Sequence, residues 1–183
     1  MNLEDYKLFT PTTALYPEFN EFYYLKLGLK SEAGELIGKV AKLHRGDKTF
    51  VEMREGLISE LGDICWFISQ FNNRTKFFKF TPDQQTFNWM SDQIGSTSCL
   101  TVTADRIYDM CRDIFGDGNW SKIGDPEVLD RDAVRHTTSH LMTEVMNMAM
   151  LLGVTLEELF DNNYEKLTGR QARGTIKGEG DVR

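Results

Sequence analysis

The chain has 183 residues, of which 40% are hydrophobic and 27% charged, and its formal net charge is −7. This composition is typical of one folded domain rather than a disordered chain, and the acidic charge argues against binding to the phosphate backbone of duplex nucleic acid. The three cysteines have no CxxC spacing, so no disulfide framework or cysteine-based zinc site is indicated. The first ten residues lack an apolar signal segment, and the most apolar stretch, 141–154, is too short to span a membrane. We therefore expect a cytoplasmic protein.

Apolar residues recur at helical spacing along most of the chain. Residues 1–20 are expected to be irregular because Pro11 and Pro17 interrupt them. The predicted helices cover 22–43, 51–71, 81–94, 103–115, 133–152 and 155–167. No segment alternates as a strand would, so we predict an all-α fold with a single domain over 1–183.

Two acidic pairs stand out on the first two long helices. Glu32 and Glu35 lie on the first helix, and Glu60 and Asp63 lie on the second. Because each pair has i, i+3 spacing, both of its carboxylates project from the same side of their helix. A short connection joins the helices, so we expect them to pack antiparallel and to bring the four carboxylates together.

The two pairs differ in their surroundings. Taken alone, Glu32 and Glu35 are typical of a solvated helix face. The helix with Glu60 and Asp63 is apolar on nearly all sides, and a buried ionised carboxylate needs a paired charge or a metal ion. The residues alone leave open whether lysine or a divalent cation such as Mg²⁺, which prefers oxygen ligands, supplies that charge.

Further motifs follow these acids in a characteristic order. The two pairs form an ExxE…ExxD pattern. The positions that carry the likeness are 13–17, 28–36, 60–67, 152–159, 163–167, 170, 173–174 and 178–183. Together they resemble the MazG-like nucleotide pyrophosphohydrolases of the all-α NTP pyrophosphatase superfamily, relatives of the dimeric dUTPases and dCTP pyrophosphatases. The likeness covers about 11–71 and 141–183, and we interpret 72–140 as a large insertion into the helical bundle.

The resemblance implies that the protein hydrolyses nucleoside triphosphates, ribose or deoxyribose, to monophosphate and pyrophosphate. It implies that Glu32, Glu35, Glu60 and Asp63 bind Mg²⁺, with Mn²⁺ as a substitute, and that one of them acts as general base. Such an enzyme would serve the nucleotide pool in a house-cleaning role.

The resemblance also assigns residues to the substrate. It implies that Lys39, Asn163, Lys166, Arg170 and Arg173 contact its phosphates or sugar, since cationic side chains suit phosphate. The alternative for the residues near the end of the last helix is an ordinary basic helix C-terminus. The alternative for Lys39 is an ion pair with Glu35 in the next turn towards the N-terminus.

Aromatic residues near the acidic pairs could stack on a base. They are Tyr16, Phe19, Tyr23 and Trp66. Each is equally interpreted as an ordinary core residue.

Two alternatives to a general pyrophosphohydrolase stay open. One is a specialised dUTP or dCTP hydrolase of the same superfamily. The other is a non-catalytic helical interaction protein that docks a partner through 72–140. Because members of the family are commonly dimers or tetramers, we also expect a homo-oligomer without membrane contact.

Overall fold

The computed structural model describes residues 1–75, 92–113 and 131–176, and these form helices and turns without a strand. The predicted all-α class is therefore confirmed. The α-helices of these described residues are α1 (Leu3–Phe9), α2 (Glu21–Arg45), α3 (Phe50–Thr75), α4 (Thr97–Asp113), α5 (Arg131–Leu151) and α6 (Leu156–Ala172). Among the helices of the described residues, none has the length and hydropathy needed to traverse a bilayer.

The prediction that residues 1–20 are irregular was wrong for α1. Asn2 caps this helix by accepting a hydrogen bond from the amide of Asp5. Tyr6 is fully buried, and its ring stacks on Phe160 of α6 with 4.3 Å between the centroids. Pro11 lies only in the 3₁₀ turn that follows, Thr10–Thr13, so it does not interrupt α1.

The later boundaries differ from prediction at two helices. α4 begins at Thr97 rather than 103, and α6 continues to Ala172 beyond the predicted end at 167. Of the helix predicted over 81–94, residues 92–94 form a turn and the rest lies outside the described residues.

α3 lies at the centre of the bundle, in contact with α1, α2, α5 and α6. Its residues from Leu57 to Phe71 are almost all buried, as expected for a helix that is apolar on nearly all sides. α2 and α3 run antiparallel, because the early α2 residue Gly28 lies against the late α3 residue Phe67, whereas Lys39 lies against Gly56. This pairing places Glu32 of α2 opposite the middle of α3.

α4 belongs to the segment interpreted as an insertion, and it packs into the same hydrophobic core. Its buried residues include Leu100, Ala104, Ile107 and Cys111. They pack against α2 and α5, so this part of 72–140 is integral to the bundle rather than an appendage.

Candidate functional site

Three of the four predicted carboxylates converge between α2 and α3. Glu32, Glu60 and Asp63 each place one carboxylate oxygen within 4.8 Å of the others. The side chain of Glu60 also favours the protonated form of Glu32, and so adds to the raised pKa of Glu32. We call these three residues the carboxylate cluster.

Glu35 lies outside this group and is exposed. Glu35 is one turn along α2 from Glu32 and about 60° around the helix, at an exposed position. Among the described residues, the distances between carboxylate oxygens therefore define a cluster of three acids rather than the predicted cage of four. The charge of Glu35 still acts on Glu32, and a role as a fourth ligand stays a prediction.

Two lysines from different helices contact the carboxylate cluster. Lys39 of α2 places its Nζ 2.5 Å from Oε1 of Glu60, rather than pairing with Glu35. Lys166 of α6 forms an ion pair with Asp63 and donates to the hydroxyl of Ser59 at 2.9 Å. Two of the cationic residues assigned to substrate are therefore at the cluster itself.

Asn163 fixes the orientation of Asp63. Its Nδ2 donates to Oδ1 of Asp63 at 2.9 Å, and its own Oδ1 accepts a hydrogen bond from the hydroxyl of Tyr6 at 2.8 Å. Asn163 and Tyr6 are both buried, so this chain of hydrogen bonds is shielded from water. The sequence did not predict this role of Tyr6, because its segment was expected to be irregular.

The electrostatics of the cluster favour a bound proton or cation. Burial, followed by the charges of Asp63, Glu60 and Glu35, raises the pKa of Glu32 to about 8. Burial also raises the pKa of Asp63, although Lys166 and Arg170 oppose that shift. Three carboxylate oxygens so close together are the hard donors that Mg²⁺ and Mn²⁺ prefer, so this donor set fits such an ion.

Two members of the carboxylate cluster line a cavity of about 490 Å³. They are Glu32 and Asp63, whereas Glu60 is not part of the lining, and Arg170 contributes a cationic group. Its aromatic wall consists of Tyr16, Tyr24, Trp66 and Phe67. The volume falls in the range of small-molecule sites in proteins, about 300–1,000 Å³.

The cavity includes only some of the predicted substrate residues. Tyr16 and Trp66 line it as the sequence suggested, whereas Phe19 and Tyr23 are exposed and absent from its lining. Arg173 is also exposed, at the C-terminal cap of α6 and away from the lining. The motif at 178–183 lies outside the described residues.

Sequence reasoning missed two walls of the cavity, Tyr24 and Phe67. Their helical spacing from the acids of α2 and α3 is a signal that could have predicted them. Tyr24 lies two turns before Glu32 and Phe67 lies one turn after Asp63, so both share a helix side with the acids.

Comparisons with known proteins show a similarity to a phage protein. No protein-family model matches the chain, and no solved structure matches it. The "Gene 37 protein" of Mycobacterium phage L5 is 34% identical over 97 residues, which cover 48% of this chain and 84% of the phage protein.

Proposed function

We propose that the chain, which belongs to the family of the Gene 37 protein of Mycobacterium phage L5, is a metal-dependent nucleoside triphosphate pyrophosphohydrolase of MazG-like type. The observation that carries this proposal is the position of the carboxylate cluster. It borders a cavity of nucleotide size with an aromatic wall and an arginine. A nucleoside triphosphate has chemical features complementary to these. Its planar base can stack on the aromatic wall, and its anionic triphosphate can contact the arginine and a metal ion held by the carboxylates.

Each part of the site has a role in this reaction. Glu32, Glu60 and Asp63 would hold Mg²⁺ or Mn²⁺, and Asn163 would keep Asp63 in the required orientation. When bound, the cation would supply charge neutralisation of the triphosphate and Lewis-acid activation at the α-phosphorus. Arg170 lies where a guanidinium could contact phosphate oxygens.

The aromatic wall would bind the base. Tyr24 is 46% exposed, so part of its ring is free to receive a planar ligand. The indole N–H of Trp66 donates to Oγ1 of Thr13 at 2.8 Å, which fixes the ring at the side of the cavity. Such rings stack on any base, and the walls of the cavity would decide between bases by shape.

The proposal is tested by measuring pyrophosphate release from each common NTP and dNTP, with Mg²⁺ and with EDTA. We expect Mg²⁺-dependent release from at least one nucleotide. Glu60→Gln should abolish it while circular dichroism stays helical. Glu55→Gln, which removes an exposed acid from the same helix, is the matched control and should keep full activity.

The substrate profile also separates the alternatives. Release confined to dUTP or dCTP would identify a specialised hydrolase, and broad release would identify a house-cleaning enzyme. If no nucleotide yields pyrophosphate, the proposal is wrong and a non-catalytic interaction protein becomes the better interpretation.

We further propose that the protein forms a homo-oligomer. Phe19 and Leu27 are 83% and 63% exposed near the start of α2, and large exposed apolar side chains of this kind are common at subunit contacts. Sedimentation equilibrium should give the mass of a dimer or tetramer. The double variant Phe19→Ser, Leu27→Ser should have a lower average mass in solution, because its subunits dissociate. A monomer at micromolar concentration would contradict this proposal.

A further inference from the structure

Two lysines occupy the carboxylates that a divalent cation would need. Nζ of Lys39 lies 2.5 Å from Oε1 of Glu60, and Nζ of Lys166 is paired with Asp63. They come from different helices, α2 and α6, and each contacts one acid of α3. The metal-free cluster is therefore already neutralised in part by the protein itself.

Both ion pairs are shielded from solvent. The side chains of Lys39 and Glu60 are 17% and 8% exposed, and those of Lys166 and Asp63 are 24% and 17% exposed. Charges in such places are screened weakly by salt, so their interactions with one another persist at physiological ionic strength. An added cation among these carboxylates would consequently be repelled by both ammonium groups.

The two lysines are held by contacts that allow movement of their ends. The stem of Lys39 crosses α3 at Gly56, where its Cε lies 3.1 Å from the position that a Cβ would occupy. Lys166 is held by the hydroxyl of Ser59 at 2.9 Å in addition to Asp63. A lysine has four methylenes and a freely rotating ammonium group, so each Nζ can shift by several ångströms without movement of its helix.

We propose that Lys39 and Lys166 are exchangeable counterions of the carboxylate cluster. In the metal-free protein they neutralise Glu60 and Asp63. With a divalent cation and a triphosphate bound, the two ammonium groups would leave Glu60 and Asp63, which would then hold the cation, and would contact phosphate oxygens instead. This inference rests on the proposed function and adds to it a reason why metal and triphosphate would bind cooperatively.

The exchange predicts opposite effects of one substitution on two ligands. Removing a lysine charge relieves competition for the carboxylates, so the metal alone should bind more tightly. It also removes a phosphate contact, so the nucleotide should bind less tightly. If the lysine had only a structural role, replacing it would weaken the binding of both ligands or of neither.

The experiment measures Mn²⁺ binding by electron paramagnetic resonance, at fixed pH and ionic strength and without nucleotide. Wild type is compared with Lys39→Met, Lys166→Met and Lys166→Arg. Methionine keeps most of the apolar stem, and arginine keeps the charge. Lys42→Met is the matched control, because it removes a positive charge from an exposed position one turn along α2.

We expect Lys39→Met and Lys166→Met to tighten Mn²⁺ binding by about fivefold or more, the lower end of typical coupling between sites. Lys166→Arg and Lys42→Met should match wild type. At saturating Mn²⁺, an α,β-methylene nucleotide should bind the two methionine variants more weakly than wild type by a similar factor. Circular dichroism checks that each variant is folded. If Lys39→Met is unfolded, the Mn²⁺ binding of Lys166→Met alone tests the exchange.

Unchanged or weaker Mn²⁺ binding in Lys166→Met would overturn the exchange. If wild type nevertheless releases pyrophosphate, the proposed function stands without it. If no variant binds Mn²⁺ and wild type releases no pyrophosphate, both the exchange and the proposed function are wrong.

Discussion

Asn163 and Asp63 lie 100 residues apart in the chain, yet Nδ2 of Asn163 donates a hydrogen bond to Oδ1 of Asp63 at 2.9 Å. Lys166, one turn further along α6, pairs with the other oxygen of the same carboxylate. α6 therefore fixes both oxygens of Asp63, and Tyr6 of α1 in turn fixes Asn163. The geometry of the cluster depends on helices from both ends of the described chain.

Replacing Asn163 should cost stability as well as activity. Asn163→Ala removes the closer of two acceptors of the buried Tyr6 hydroxyl, which is left with the carbonyl of Gly62 at 3.3 Å, and it also removes the amide donor to Asp63. Because unpaired buried polar groups are costly, we expect the free energy of unfolding to fall by about 1–3 kcal/mol, measured by urea denaturation. Asn162→Ala, at the exposed neighbouring position, should change it by less than about 0.5 kcal/mol. Equal losses in the two variants would contradict the hydrogen-bond network.

The close approach of α2 and α3 depends on Gly28. A Cβ at this position would lie 2.2 Å from Cζ of Phe67, so Gly28→Ala must displace a ring that lines the cavity. We expect a lower melting temperature and weaker nucleotide binding. Gly34→Ala on the same helix meets nothing within 4 Å, so it should stabilise the protein by up to about 1 kcal/mol through helix propensity. A melting temperature that rises in both variants would show that Phe67 has room to move.

The long helices could be predicted because their signal is local. Apolar spacing placed helices at 22–43 and 51–71, and α2 and α3 extend these ranges by only a few residues at each end. α1 could not be predicted in this way. Its seven residues depend on the contact between Tyr6 and Phe160, which is far away in sequence.

The site was predictable to the same extent. Helical spacing was sufficient to bring together Glu32, Glu60 and Asp63. The partner of Lys39 was not predictable, because the register between α2 and α3 decides whether its ammonium group reaches Glu60 or stays near Glu35. Register depends on side-chain packing across the interface, for which a single sequence carries little information.

The raised pKa of Glu32 makes the stability of the metal-free protein depend on pH. The folded protein holds a proton on Glu32 up to a pKa of about 8, whereas the unfolded chain releases it near the ordinary value of 4.5. The folded state therefore binds more protons between these values, and the free energy of unfolding falls as pH rises towards 8. The raised pKa of Asp63 acts in the same direction.

We expect this fall to reach up to about 1.4 kcal/mol per pH unit in EDTA. Urea denaturation between pH 6 and 9 measures it. In this window the capping acids with lowered pKa, such as Glu52 and Glu158, are ionised in both states and add no slope. Glu32→Gln should flatten the curve and be more stable than wild type above pH 8. Parallel curves for the two proteins would mean that Glu32 is not the titrating group.

The aromatic wall should contribute to binding of the base but not of the phosphates. Tyr24 lines the cavity, with its ring centroid 4.8 Å from that of Tyr16, whereas Tyr23 is similarly exposed but is not part of the lining. Because stacking on an aromatic side chain is worth about 1–3 kcal/mol per base, Tyr24→Leu should weaken the binding of an α,β-methylene nucleotide by about fivefold to 150-fold with Mn²⁺ present.

Isothermal titration calorimetry against inorganic tripolyphosphate separates the two parts of the ligand. Tripolyphosphate has no base, so its affinity should be the same in wild type and in Tyr24→Leu. Tyr23→Leu, the matched control, should bind both ligands as wild type does. Equal weakening of nucleotide and tripolyphosphate by Tyr24→Leu would place the phosphates, rather than the base, against this wall, and the orientation of the substrate in the cavity would have to be reversed.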